Sequence, residues 1–481
     1  MTPYYITTTL PYVNADPHIG FALEIIQADA LARYHRSHGF EVLFNTGTDE
    51  HGQKIYEKAI KEGKDTQEYV DEYATKFDRL KESLNLTYTN FIRTSDPNHK
   101  KAAQEFWNRC LANGDIYKDQ YQTKYCVGCE LEKSDSELVD GKCPVHPNLE
   151  LETRDEENYF FAFSKYQKPL QDLYTSNPDF VIPNYRFNEI KSFVDAGLND
   201  FSISRIKEKM PWGVPVPGDE DHVMYVWFDA LVNYISTLGW PNEEGDFKKF
   251  WPAVQVAGKD NVRQQSAMWQ AMLLSAGIEP SKQIFIHGFI TSGGQKMSKS
   301  LGNVVDPFAL VNEYGTDAVR YYLLREIPSH DDGDYSEQRM EERFAELANQ
   351  LGNLVSRVVA MSNKYFDGKL DAVDRNWSEE NAKLELCIKN YDFKTYTDQV
   401  FQVVSDANEI IDKKAPFKLV KTNEAGAKKV LSELADMIRF IGQSLLPIIP
   451  EAAQEILNRY EADQIVIGAP LFPRRDNQDS K

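Results

Sequence analysis

Residues 4–49, YYITTTLPYVNADPHIGFALEIIQADALARYHRSHGFEVLFNTGTD, read as one βαβ unit, and the rest of the chain is arranged around it. Tyr4–Leu10 is an aromatic and β-branched run of the kind a buried strand requires. The loop PYVNADP then brings His18-Ile19-Gly20 to the start of a helix. Within that helix Leu23, Ile26, Ala30, Leu31 and Tyr34 recur at helical spacing, and Gly39 supplies a stop. A second strand, Phe40–Asn45, runs into Gly47-Thr48-Asp49. Free N–H groups and the positive dipole end make a helix N-terminus suit phosphate. An imidazole held there can donate to a phosphoryl oxygen, and Gly20 lets a ligand approach the backbone. Open α/β sheets bind ligands at the carboxyl ends of their strands, where His18 and Asp49 both fall. These positions point to a nucleotide site.

The 481 residues are long enough for three or four domains, with 42% hydrophobic and 27% charged residues as in ordinary globular chains. No run of about 18 apolar residues appears, so no membrane span is expected. The N-terminus enters a strand without a basic, cleavable leader, which points to the cytoplasm. A net charge of −20 argues against broad nonspecific binding of nucleic acid while leaving room for a local basic groove. Five cysteines, three of them clustered with a histidine, do not form a secreted disulfide framework.

That cluster is Cys126-x2-Cys129, thirteen residues, then Cys143-x2-His146. Each half is a tight knuckle aiming two soft ligands at one point, and together they complete a tetrahedron. Three thiolates and one imidazole fill the shell, so zinc here is expected to be structural. Few apolar residues surround the cluster, and metal would replace the missing core. Cys110 and Cys387 stand in helical contexts and read as buried and inert. The insertion carrying the knuckle begins near Ile116, after the Asn113-Gly114 break, and is punctuated at its exit by MPWGVPVPG, residues 210–218. Residues 159–166, YFFAFSKY, open what reads as a strand-rich segment.

Beyond it, VMYVWFDALVNYI (residues 223–235) starts strand-like and turns helical from Asp229. Trp227, Ala230, Leu231 and Tyr234 there are candidates for lining an apolar pocket. Ala253–Ala257 and Gln283–Phe289 read as further strands, ending in Gly258-Lys259-Asp260 and His287-Gly288. A carboxylate just past a strand end suits ribose hydroxyls. Strands alternating with helices on both sides of the insertion imply one interrupted parallel sheet. Next comes GGQKMSKSLGN (293–303), read as a flexible glycine-rich loop whose Lys296 and Lys299 can neutralise a transferring phosphoryl or a pyrophosphate. Pro307–Tyr322 belongs to a linking α/β segment, and from about Glu341 the pattern is helical. Leu347, Leu351, Leu354 and Val358 repeat at threes and fours, Asp406–Leu419 and Val430–Leu446 add helices, and Pro447 to Pro450 break the last.

His18-Ile19-Gly20 with Lys296–Ser300 (KMSKS) resembles the paired signatures of class I aminoacyl-tRNA synthetases. Within that class, LPYVN (10–14), GTDEHG (47–52), Tyr225–Tyr234, Gly258-Lys259-Asp260 and the knuckle resemble the methionyl-tRNA synthetase family, from residue 4 to about 420. The resemblance implies a Rossmann-like catalytic domain split over 1–115 and 219–290, a connective insertion at 116–218, a KMSKS loop and linking segment at 291–340, and a helical anticodon-binding domain at 341–481. It implies methionine–tRNA ligase activity on ATP, L-methionine and tRNA(Met), with Mg2+ accompanying ATP and structural Zn2+. No dimerisation module is recognisable after the helical segment, so a monomer is expected. His18, Gly20, Gly258, Asp260, His287, Lys296, Ser298 and Lys299 would bind ATP, and His18, Gly20, Lys296 and Lys299 would carry catalysis. Asp49 would take the methionine ammonium; Leu10, Tyr12, Trp227, Ala230, Leu231, Tyr234, Asn261 and Gln265 would surround the rest of the amino acid. Cys126, Cys129, Cys143 and His146 would hold the metal, while Asn353, Arg357 and Phe417 would contact the anticodon.

The chain departs from the family pattern at Phe21, where a second signature histidine normally follows Gly20. Gln265 stands at a customary pocket histidine, Asn261 at a frequent isoleucine, and Phe417 at an anticodon-stacking tryptophan. A sister ligase for another apolar amino acid usually carries a large editing insertion, larger than residues 116–218. A catalytically weakened tRNA-binding paralogue is the alternative suggested by Phe21 and opposed by the intact KMSKS string.

Overall fold

The computed structural model describes residues 1–129, 131–133, 138–297, 302–373, 375–460 and 464–473. Ser298 and Lys299 lie outside them. The opening βαβ unit forms as expected: β1 (Pro3–Thr8), α1 (Ile19–Ser37) and β2 (Glu41–Thr48), with β3 (Asn90–Arg93) beside β2. A six-stranded sheet runs in the order β3, β2, β1, Val254–Gly258, Gln283–His287, Val181–Ile182, every pairing parallel. Chain order reverses between β1 and Val254–Gly258, so the crevice outside their carboxyl ends is the switch point where such sheets bind ligands. All five residues of Val254–Gly258 and seven of the eight in β2 are buried, as in a strand covered on both faces.

The range 116–218 divides in two. Ile116–Cys126, Leu131–Lys133, Glu152–Phe161 and Phe201–Ser202 form a separate antiparallel sheet bearing the knuckle. From Phe163 the chain instead rejoins the main body: helices Gln167–Ser176 and Asn184–Asp195 flank Val181–Ile182, which is the edge strand of the parallel sheet. The strand-rich reading of residues 159–166 therefore ends at Phe161. Phe161, Leu170, Tyr174 and Ile190 join Phe106, Trp107 and Trp269 in one buried cluster, and aromatic burial of that size outweighs the weak strand propensity after Phe161.

Gly293 and Gly294 are not part of a slack loop. Both have positive φ (64° and 72°), and they turn Ile290–Ser292 onto Gln295–Lys296 as a two-residue hairpin. Pro307–Tyr322 is two helices, Pro307–Tyr314 and Thr316–Arg325, broken at Gly315 (φ 84°). In the C-terminal part the helix expected from Asp406 begins at Phe393 and ends at Lys414, with Ala415 in the left-handed region; Glu424–Leu445 and Pro450–Tyr460 follow. Arg320, fully buried, ties the halves together. It pairs with Asp29 of α1 at 2.8 Å and donates to the carbonyls of Leu84, Pro447 and Ile448, each at 3.0 Å.

Candidate active site

At the switch point a cavity of about 790 Å3 opens between the parallel sheet and the knuckle. Every residue expected to surround the amino acid lines it: Leu10, Tyr12, Asp49, Trp227, Ala230, Leu231, Tyr234, Asn261 and Gln265. Asp260 and Lys296 line it too, and Cys129 and His146 overhang it from the knuckle. Tyr12 and Asp49 form a backbone bridge that continues the β1–β2 pairing past the strand ends, and the buried Asp49 lines the cavity there.

His18 caps α1. Its Nδ1 accepts the Gly20 N–H at 3.1 Å, so in the neutral ring the proton sits on Nε2. Burial, helped by the Lys296 ammonium, lowers the His18 pKa from its usual value and favours that neutral donor. Gly20 makes the arrangement possible: a Cβ there would lie 2.8 Å from His18 Cε1. The same Cβ would meet Met297 at 3.8 Å, and Ile19 N donates to Val305 O at 3.1 Å. A backbone hydrogen bond therefore joins the two segments, about 280 residues apart in the chain, and Lys296 lies within electrostatic reach of both His18 and Asp260. Lys296 also sits 5.5 Å over the Phe289 ring.

A Cβ at Gly258 would approach Asp260 Oδ1 to 2.9 Å, so a larger residue there would displace the Asp260 carboxylate. Crowding by the surrounding protein raises the Asp260 pKa, and Lys296 acts in the opposite direction. His287, one of the expected nucleotide contacts, is held within the protein: its Nε2 lies 2.9 Å from Glu24 Oε2 and its Nδ1 2.7 Å from Gly288 O. Burial alone would lower the His287 pKa, but the Glu24 hydrogen bond and charge outweigh it and raise it. Its role is to back the site: Glu24 Oε1 also accepts from Thr9 N at 2.7 Å, which locks α1 to the end of β1. Sequence reading missed Glu24, because a contact 263 residues long has no local signature.

The departures from the family pattern have physical settings. Phe21 packs edge-on against Phe77, with centroids 5.4 Å apart, and so stabilises the helix Thr66–Asp78 against α1. Gln265 sits in a π-turn, Gln264–Met268, and donates from Nε2 to Tyr234 Oη at 2.7 Å. Gln265 Oε1 is buried without a hydrogen-bond partner among the described residues.

At the knuckle Cys129 Sγ lies 3.4 Å from Cys143 Sγ and 3.2 Å from His146 Nδ1, and all four donor atoms fall within 4.8 Å of one another. Metal–sulfur bonds of about 2.3 Å in a tetrahedron set sulfurs a little under 4 Å apart, so the donors fit one ion. Gly128 leaves room for the imidazole, a Cβ being 2.4 Å from His146 Cγ, and Lys54 Nζ donates to Gly128 O at 2.6 Å. Cys110 and Cys387 are buried elsewhere, and burial pushes their thiols up to about 12 and about 11. Far from the cavity, Asn353 and Arg357 stand one turn apart on the helix Asn353–Phe366. Arg357 pairs with Asp412 at 3.0 Å on the surface, and Phe417 is 40% exposed.

Comparison with known proteins agrees with this geometry. Residues 4–151 and 147–359 match the family described as tRNA synthetases class I (M), which gives the class. A methionine–tRNA ligase of Thermosynechococcus vestitus is 44% identical over 95% of this chain and 90% of its own length. That of Thermotoga maritima is 40% identical over 99% and 81%. A Mycobacterium tuberculosis methionyl-tRNA synthetase in complex with methionyl-adenylate superposes with a TM-score of 0.92, at 38% identity, covering 98% of this chain and all of that one. The chain belongs to the methionyl-tRNA synthetase family.

Proposed function

We propose that the protein is a methionine–tRNA ligase, which activates L-methionine with ATP to methionyl adenylate and transfers it to the 3′ end of tRNA(Met). The observation that carries this is the single cavity in which the candidate amino-acid contacts meet Asp260 and Lys296. Asp49 would take the ammonium group. Trp227 and Tyr234 would flank the thioether, for which aromatic walls are worth about 0.3–1.5 kcal/mol. The carboxylate then attacks the α-phosphorus and pyrophosphate leaves. This is a displacement governed by positioning and charge rather than by proton transfer. His18 Nε2–H, the start of α1 and Lys296 would stabilise the phosphates, joined by Ser298 and Lys299; Gly258 and Asp260 would receive the ribose. Mg2+ accompanying ATP would offset the triphosphate charge. Zn2+ suits the Cys3His donor set and would shape the overhanging wall. Asn353, Arg357 and Phe417 would contact the anticodon, the phenylalanine by stacking. Among the described residues no helix is long and apolar enough to cross a membrane. The enzyme would act in the cytoplasm as a monomer.

Methionine-dependent exchange of pyrophosphate into ATP tests the proposal. Exchange with methionine alone is expected. Exchange with another amino acid instead would redirect the specificity, and none with any amino acid would leave a tRNA-binding paralogue.

A further inference from the structure

Trp227, Ala230, Leu231 and Tyr234 all project into the cavity from a segment with little structure of its own. Its helices, Val226–Ala230 and Asn233–Ser236, have five and four residues, too short to hold a wall in register unaided. Two buried histidines grip that segment from outside. His51 Nδ1 lies 3.0 Å from Asp229 Oδ2, both residues fully shielded from solvent. At the other end His99 Nδ1 lies 2.9 Å from Ser236 Oγ. Neither His51 nor Asp229 lines the cavity. His51 Nε2 and Asp229 Oδ1 have no hydrogen-bond partner among the described residues, so the 3.0 Å contact is the one that compensates the burial of both groups.

The other side of this contact is anchored firmly. His51 stands two residues after Asp49, and between them Glu50 is clamped by Arg93 Nε at 2.6 Å, Arg93 Nη2 at 2.9 Å and Thr48 Oγ1 at 2.6 Å. Trp212 closes over the junction, with its ring centroid 5.7 Å from that of His51 and its Nε1 donating to Glu50 O at 2.6 Å. The end of β2 is thus rigid, and the short helical segment is tied to it by the buried His51–Asp229 contact, with Asn45 Nδ2 of β2 donating to Asn233 Oδ1 at 3.1 Å and Tyr5 Oη of β1 donating to the Tyr234 carbonyl at 2.8 Å further along.

The geometry points to His51 and Asp229 as paired positioning residues that hold the amino-acid wall, Trp227 to Tyr234, at a fixed distance from Asp49. In the methionine reading of the cavity only the amino acid would span both Asp49 and that wall, and the nucleotide would lie at Asp260 and Lys296. Loosening the pair therefore weakens methionine binding and leaves ATP binding alone. A merely structural pair would instead lower stability and disturb both substrates together. The inference rests on the methionine reading of the cavity.

The test compares the wild type, His51→Gln, Asp229→Asn and the double variant in methionine-dependent pyrophosphate exchange, with a thermal melt of each. Each single change is expected to raise KM for methionine roughly tenfold, with KM for ATP and kcat within about twofold, and the double variant to be no worse than its weaker parent by more than about twofold. Parallel rises in both KM values, an unchanged methionine KM, or multiplicative effects in the double variant would overturn the pairing. If Asp229→Asn does not fold, His51→Gln carries the same KM comparison. A wild type that exchanges with no amino acid would overturn the methionine reading itself, whereas an active wild type with indifferent variants would overturn only the pair.

Discussion

The two walls of the cavity are built by different physics. The sheet-side wall rests on strands buried along nearly their whole length and on carboxylates sealed by hydrogen bonds, such as Glu24 between Thr9 and His287. The knuckle-side wall has Cys126 and Cys143 buried but Val139, Val145 and Leu149 exposed at 61%, 57% and 43%. An apolar core can fix atoms to tenths of an ångström without help, because close-packed interiors resist deformation. A loop with so little to bury needs its four metal donors instead. With the proposed metal in the knuckle, the site would be half preformed by packing and half dependent on an ion.

The largest expected effect lies on the packed side. His18→Asn retains a helix-capping acceptor and removes the imidazole, so folding should survive while kcat for exchange falls by roughly 10²–10³, the cost of one donor to a transition-state oxyanion. A fall of the same size in melting temperature and activity together would show His18 to be only a cap. Next comes the metal side. Chelation, or Cys143→Ser, should remove about one zinc per chain and lower exchange roughly 10–100-fold, while the main thermal transition stays in place. Collapse of the whole chain on chelation would erase the contrast between the walls.

A third effect separates the cavity from the helical part. Phe417→Ala should raise KM for tRNA by about 1–3 kcal/mol in aminoacylation, the value of one stacked base, and pyrophosphate exchange, which needs no tRNA, provides the control. The smallest concerns pH. Burial, aided by His51, holds the pKa of His99 down at about 3 from the ordinary 6.5. Between those values the unfolded chain binds a proton at this residue and the folded chain does not, so stability is lost as pH falls from 6.5 towards 3. The slope from one such group is at most about 1.4 kcal/mol per pH unit, and His99→Gln should flatten the curve by that amount in denaturant titrations.

Much of the packed wall was legible because its signals are local. An aromatic β-branched run, a helical apolar face and Gly39 define β1, α1 and β2, and ligand spacing alone defines the knuckle. What escaped was either too short or too distant. Val181–Ile182 is a two-residue strand with no period to detect, yet it completes the parallel sheet. The contact between His287 and Glu24, which belongs to the first helix, left no local trace in the sequence. His51 and Asp229, 178 residues apart, were invisible as a pair for the same reason. Gly293-Gly294 could have been recognised as a hairpin turn, since paired glycines are the usual solution where both central residues need positive φ. The helix from Phe393 was hidden by tertiary override: Phe393, Tyr396, Val400 and Val404 form one buried face despite their β-branched and aromatic character.

The direct measurement of the central claim is a crystal structure with a non-hydrolysable methionyl-adenylate analogue. The account places the thioether between Trp227 and Tyr234, the ammonium at Asp49 and the ribose at Asp260, all in the one cavity, with the phosphate facing Lys296 and His18 Nε2. An analogue bound away from this cavity, or a phosphate turned from both His18 and Lys296, would contradict it.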